Sequence, residues 1–411
     1  MKKLQFYIDE IIDEAIISAI AHQFYGEYEE RFDRIPLAVR ADFLKYLHKL
    51  YEKERKELHL INQRYNRRIR SISRAENIAT LGHIHQKLNE LAGEIFIRTR
   101  SVTEINQRCT KYRDLLTLKV ISLTRLEMEK DFPRPHNTFA WIRMGSTGRE
   151  EQTLYTDQDN LLVYKNPADK AYYTAFAKRM VENLSRVGFV KCKGNIMPTN
   201  KKWFATIDEW RQKLHGEFTD AENLVDLIVL TEAKYAGGNF PLANTFIQET
   251  HKALKSYHAS FQAIAKATVL MPIALTIFRK FKTERKGEHK DMLNIKSQGW
   301  LPLIMLILLF CFEHDILEET NTIKRIKALE RMNAFDTEFA EELMECYITL
   351  TEYKIRAQID FLKGETHEIS YFINPYKLSK KDQSKLKKTL STVEQLQRLA
   401  ASSYSISDDS L

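Results

Sequence analysis

Residues Met144–Tyr164 read MGSTGREEQTLYTDQDNLLVY, and this stretch decides how the chain is understood. Before it stands TFAWIRM, a short run of β-branched, aromatic and aliphatic residues; inside it the apolar NLLVY follows an acidic triplet. Both runs have the length and composition of buried strands. A glycine turn at Gly145-Ser146 ends the first, and Asp157 and Asp159 stand twelve and fourteen positions after Gly145, at the entrance to the second. A third strand is expected at LIVLT (Leu227–Thr231), and a helical pattern from Lys170 to Arg186 lies between, so this part reads as an α/β unit.

Alternate residues of a strand point to one side, so Asp157 and Asp159 should present two carboxylates to one point in space. Paired hard oxygen ligands suit Mg²⁺, with Mn²⁺ a close substitute. Gly145 lets backbone amides approach phosphate oxygens, Ser146 continues the turn, and a helix starting near Thr147 would add its positive end. A triphosphate and its metal ions would meet there, which is the requirement for attack on an α-phosphorus with departure of pyrophosphate. A lone Asp-x-Asp is most often a solvated loop; here the turn, the spacing, the acids and the apolar run occur together and in order.

At Gly145, Ser146, Gly148, Arg149, Glu151, Gln152, Leu154, Thr156, Asp157, Gln158, Asp159 and Asn160 the stretch resembles the pattern GSxGRxEQxLxTDQDNxL. That pattern belongs to bacterial nucleotidyltransferases allied to PII uridylyltransferase, often fused to CBS or cyclic-nucleotide-binding modules. The similarity extends through ELAGEIFIRTRSVTEINQRCTKYRDLLTLKVI, GNIMPTNKKWFATIDEWRQKL and MLNIKSQGWLPLIMLILLF, and covers roughly Leu81 to Leu399. It implies a polymerase-beta-like mixed-sheet core, transfer of a nucleoside monophosphate from a nucleoside triphosphate, and an acceptor that in the uridylyltransferases is a protein hydroxyl. CBS-type sensor modules have no counterpart in the sequence.

The resemblance also implies a third acid from a pattern close to FFDxRPxxGD. The register that matches Gly238 and Leu242-Ala243 puts Glu232 in the first aspartate position, with Lys234, Tyr235 and Asn239 as further departures. Asp226, six residues earlier, is the alternative ligand. Arg149, beside the turn, and Lys296, in NIKSQGWLP, are candidate phosphate-binding cations; ion-pair roles are equally open to them. An HD hydrolase site at His314-Asp315 would need further ligands, for which His289 and Asp336 are available, but the surrounding sequence resembles the helical partner domain of the same family instead; His83 and His85 face different directions on a helix. Two basic stretches, Lys53–Arg74 and Lys380–Lys388, have few interleaved aromatics and read as solvated helix faces before nucleic-acid sites.

Around this core the apolar spacing is helical. Met1 to about Lys130 forms an N-terminal helical region, beginning with a lysine-led segment whose Asp9, Glu10, Asp13 and Glu14 exclude a signal-peptide core. The prolines of DFPRPH (Asp131–His136) place a boundary, giving domains 1–130, 131–245 and 246–411. The expected class is therefore α+β, mostly helical, with the mixed-sheet core between two helical parts and a polar tail from Ala401 that should fray. The apolar run Trp300–Phe312 is shorter than the ~20 residues a bilayer demands, and is expected as a buried helix. No membrane partner is expected. Four scattered cysteines among 411 residues suggest a reducing cytoplasm, and a net charge of +8 suggests anionic partners. The readings that compete with a protein-modifying enzyme are a nucleotide sensor that has lost turnover, which the altered third-acid pattern favours, and an RNA nucleotidyltransferase. Base preference, acceptor and oligomeric state have no signature in the sequence.

Overall fold

Two five-residue strands, β1 (Phe139–Arg143) and β3 (Asn160–Tyr164), pair antiparallel along their whole length, Phe139 opposite Tyr164 and Arg143 opposite Asn160. All ten residues are buried, which is why both strands read as continuous apolar runs instead of alternating ones. β5 (Phe204–Thr206) adds in parallel beside β3 and β6 (Lys234–Gly238) adds antiparallel beside β1, giving a mixed sheet of order β5-β3-β1-β6. A separate parallel pair joins β2 (Asp157–Gln158) to β4 (Val190–Lys191). The computed structural model describes residues 37–406, apart from 134, 136–137, 217–223, 257 and 277. The N-terminal segment read as a helix and the tail beyond Ile406 lie outside the described residues.

Helices cover the sheet. α1 (Leu37–Arg74) lies against α2 (Ile78–Thr99), and α3 (Val102–Met128) packs on both α2 and β6. Asn77 and Ser101 start α2 and α3 by accepting from the amides of Thr80 and Glu104, at 2.9 and 3.3 Å. The one-turn α4 (Gly145–Gly148) follows β1, and α5 (Lys170–Val187) lies on α2 and α3. α6 (Ile207–Gly216) flanks β5, and α8 (Phe240–Ser256) lies over β1 and β6.

The segment expected as a third strand differs. Leu224–Leu230 is a helix, α7, and the strand is the glycine-containing Lys234–Gly238 that follows it. A short apolar run does not reveal its period; Leu227 and Leu230, three apart, are the fully buried pair, a helical spacing. The true strand hides because it ends in glycines: Gly238 has φ +88°, and a Cβ there would run into the carbonyl oxygen of Phe139.

The C-terminal helices α9 (His258–Val269), α11 (Thr322–Arg331) and α13 (Lys380–Ser403) surround α10 (Leu301–Glu313), while α12 (Thr337–Leu362) packs on α11 and α13. Every residue from Pro302 to Cys311 is buried, so α10 is a core helix, as its all-round apolar sequence requires. With the preceding π-helical turn it is long and apolar enough to cross a membrane, yet 67% of Lys296–Glu313 is buried inside the protein.

Candidate functional site

The site begins where β1 ends. The amide of Met144 donates to the carbonyl of Asp159 at 2.8 Å, which brings the start of the glycine turn beside the gap between β2 and β3. Gly145 has φ +58°, and a Cβ on it would clash with Asp159 Oδ2, so glycine is required both by conformation and by space. The Gly148 amide donates to the carbonyl of Met144 at 3.0 Å, while those of Gly145, Ser146 and Thr147, at the start of α4, have no intrahelical acceptor. Ser146 Oγ lies 3.1 Å from Thr156 Oγ1, and a Cβ on Gly148 would run into the carbonyl oxygen of Glu232.

Asp157 and Asp159 do converge, although Asp159 interrupts the strand instead of lying within it. One ligand atom from each, together with Cys192 Sγ, lie within 4.8 Å of one another. Cys192 arrives because β2 and β4 run in parallel with Asp157 opposite Val190, so the residue after β4 sits by the acids. Burial, then the neighbouring Asp157 charge, raise the Asp159 carboxyl to about 7; the Cys192 hydrogen bond lowers it, Glu232 raises it and Arg149 lowers it. Burial and then Asp159 push the Cys192 thiol up to about 11. Asp159 Oδ1 is buried without a hydrogen-bond partner among the described residues. Two close carboxylates, one with an orphaned oxygen, fit a divalent cation, which would relieve their repulsion and supply the missing contact.

Glu232 is elsewhere. Its two carboxylate oxygens accept from Arg149 Nη1 at 2.7 and 2.6 Å, and Arg325 Nη1 stands 3.7 Å away. Arg149 Nε donates to Glu151 at 2.9 Å, so the guanidinium expected to hold phosphate is already enclosed by two carboxylates. Burial opposes its charge, and Glu232 and Glu151 more than restore it, holding Arg149 above the ordinary arginine range. Asp226 lies on α7 and pairs with Lys202. Lys296 is exposed, its Nζ 5.4 Å from the centroid of the Tyr371 ring. The structure thus brings together Gly145, Ser146, Asp157 and Asp159, and leaves Glu232 and Asp226 in ion pairs.

Residues without any motif position the acids. From α3, the Arg113 guanidinium donates to the carbonyls of Thr153 and Leu154, both at 2.6 Å, and Asn106 Nδ2 donates to that of Gln152 at 3.0 Å. From α12, Gln358 accepts from the Tyr155 amide at 3.3 Å and donates to its carbonyl at 3.2 Å. The start of α11 closes on the turn: Thr320 Oγ1 donates to Gly148 O at 2.9 Å, Asn321 Nδ2 to Arg149 O at 3.2 Å, and the Thr322 amide to Glu151 at 2.5 Å. Helices from both sides therefore set the loop that carries the acids.

A small mixed sheet, a glycine turn at the end of its first strand and paired aspartates before the next define a nucleotidyltransferase-type core. Family comparison agrees: the model described as "Putative nucleotidyltransferase DUF294" matches residues 86–223, and that described as "Putative nucleotidyltransferase substrate binding domain" matches residues 258–404. The two matches together span more than half of the chain, which belongs to this nucleotidyltransferase family. No curated protein matches it.

Proposed function

We propose that the chain transfers a nucleoside monophosphate from a nucleoside triphosphate to an acceptor, releasing pyrophosphate. The observation that carries this reading is the convergence of Asp157 and Asp159 beside Gly145, where a bare backbone and a buried, unsatisfied carboxylate oxygen adjoin. Asp157 and Asp159 would hold Mg²⁺ or Mn²⁺, and when bound such a cation neutralises phosphate charge at the reacting phosphorus. The amides of Gly145, Ser146 and Thr147 would receive phosphate oxygens. Arg149 serves indirectly: clamped by Glu232 and Glu151, it ties the far end of the turn to the segment before β6, and its carbonyl accepts from Asn321 at the start of α11. The oxygen of the acceptor forms the new bond to the α-phosphorus as the bond to pyrophosphate breaks.

On this reading the N-terminal helical part supports the acid loop, the core carries the chemistry and the C-terminal helical domain binds substrate. A protein hydroxyl as acceptor rests on the sequence resemblance to PII uridylyltransferase, and four unpaired cysteines accord with a reducing cytoplasm. The test is label transfer from each α-³²P nucleoside triphosphate in cell extract with Mg²⁺ or Mn²⁺, comparing wild type with Asp157→Asn/Asp159→Asn. Label on protein with wild type alone supports the reading, and label on RNA moves the acceptor to nucleic acid. One observation favours a second reading, a nucleotide sensor without turnover: among the described residues Glu232 is tied to Arg149, and only two carboxylates converge. Metal-dependent nucleotide binding without label transfer would establish it.

A further inference from the structure

Tyr347, Thr351, Lys354 and Gln358 recur along α12 at spacings of four, three and four, and so share one face. Three of them have partners. Tyr347 donates to Asn106 Oδ1 at 3.1 Å, Trp300 Nε1 donates to Thr351 Oγ1 at 3.0 Å, and Gln358 holds the Tyr155 backbone and donates to the Tyr371 hydroxyl at 3.1 Å. Lys354 differs: the residue is only 7% exposed, and among the described residues its ammonium pairs with no carboxylate and lies against an aromatic ring. Its ammonium stands 3.3 Å from the centroid of the Trp300 ring.

A buried cation without a carboxylate is costly, and its neighbours add to the cost. Burial, then the charges of Lys296 and Arg149, hold the Lys354 amine well below the usual lysine range, while Glu151 and Asp157 act in the other direction. Arg149 is neutralised by its two glutamates; Lys354 and Lys296 are not. If Lys354 served only to pack its stem on Trp300, methionine would do so without the charge. Gln358, one turn further on, fixes the backbone at Tyr155, two residues before Asp157, so this face of α12 runs past the acids. Lys354 and Tyr371 are both felt electrostatically with Asp157.

We propose that Lys354, with Lys296 at its rim, forms a polyphosphate subsite of the C-terminal domain that takes the β- and γ-phosphates of the triphosphate and retains pyrophosphate after transfer. This rests on the triphosphate reading above, in which Asp157 and Asp159 hold the α-phosphate end. A polyphosphate would bring the counter-charge that favours the protonated lysine, while Trp300 covers one side of the ammonium.

The experiment is calorimetric binding of Mg²⁺–pyrophosphate to the full chain, wild type against Lys354→Met and Lys296→Met, with thermal melts of each. Pyrophosphate needs no knowledge of the base. Lys354→Met should weaken binding at least tenfold and Lys296→Met severalfold, while the melting temperature of Lys354→Met stays level or rises, because a buried uncompensated charge has gone. Unchanged affinity in Lys354→Met, or no pyrophosphate binding by wild type, overturns the proposal. Should Lys354→Met fail to fold, amine labelling of wild type decides: Mg²⁺–pyrophosphate should protect Lys354, and absence of protection overturns the subsite. The two readings fail separately. Lys354-dependent pyrophosphate binding without label transfer leaves the subsite and removes catalysis, whereas label transfer with unaltered pyrophosphate affinity in Lys354→Met does the reverse.

Discussion

Glu232→Gln separates a structural carboxylate from a metal ligand at the position where the sequence pattern expects the third acid. The side chain is 4% exposed, accepts from Arg149 at 2.6 Å and has Arg325 at 3.7 Å. The amide keeps the shape and one acceptor but removes the charge that offsets two buried guanidiniums. Breaking one side of a buried pair costs about 3–5 kcal/mol, and because Arg149 retains Glu151 the lower end, about 3 kcal/mol, applies. At about 2–4 °C per kcal/mol for a unit of this size, metal-free melting should fall by roughly 6–12 °C. The assay is differential scanning calorimetry in EDTA, paired with Mn²⁺ binding followed by electron paramagnetic resonance. Mn²⁺ affinity should change little, since Asp157 and Asp159 remain. A variant that melts like wild type without metal but has lost Mn²⁺ would refute this assignment and return Glu232 to the metal. Glu232→Asp, which the family pattern would make an improvement, should instead destabilise, as its shorter side chain withdraws the carboxylate from Arg149.

Gly145→Ala should cost about 1–2 kcal/mol from its left-handed backbone alone and should weaken Mn²⁺ binding as well, because the new methyl would displace Asp159; paired melts and metal titrations check both. Asp159→Asn should stabilise the metal-free protein in a pH-dependent way. The folded carboxyl, raised to about 7, keeps a proton that the unfolded chain releases near the ordinary value of about 3.9, so wild-type stability falls as pH rises between these values. The variant's advantage in melting temperature should be absent at pH 4, grow to about pH 7 and then level off; a constant difference would contradict the origin of the shift. Gln358→Leu should lose the paired hydrogen bonds to Tyr155, about 1–3 kcal/mol by calorimetry, and lower metal affinity although it lies outside the acid cluster.

The acids and the turn were legible because they are local: GSTGR follows β1 and TDQD precedes β3, and the pairing of those two strands brings the turn beside the acids. Other contacts depend on distant chain. Cys192 reaches Asp159 through a two-residue parallel pairing that no periodicity announces, and Asp159 itself breaks the strand that was expected to carry it. Arg149 looked like a phosphate ligand because its charge is visible in sequence, whereas Glu232, 83 residues away, neutralises it only in the fold. Lys354 lies between Tyr353 and Ile355 in a long helix, where a lysine reads as solvated until Trp300 covers it. The strand at Lys234–Gly238 was missed for the opposite reason, since Gly237 and Gly238 serve close packing and a turn that β-propensity does not record.

Charge matching connects these contacts. Around the turn most buried ions have found partners: Arg149 with Glu151 and Glu232, and Arg143 with Asp114 and Glu150. Two groups of opposite sign stand apart, on opposite sides of one junction: the half-buried Asp157–Asp159 pair on the core and the buried Lys354 on α12. If their function were to hold the two domains together, they would form a salt bridge, as Lys202 and Asp226 do; instead Asp159 Oδ1 is left bare and Lys354 faces an aromatic ring. A ligand that resolves both must offer positive charge to the acids and negative charge to the lysine. On the proposed reading a metal–polyphosphate would do this, its cation held by Asp157 and Asp159 and its terminal phosphates by Lys354. A metal ion alone would leave the lysine unpaired, and an uncomplexed anion would be repelled by the acids. Nucleotide and metal should therefore bind with positive linkage: saturating Mg²⁺ should tighten pyrophosphate binding by at least tenfold, and Lys354→Met should abolish most of that gain while leaving the metal's own affinity intact.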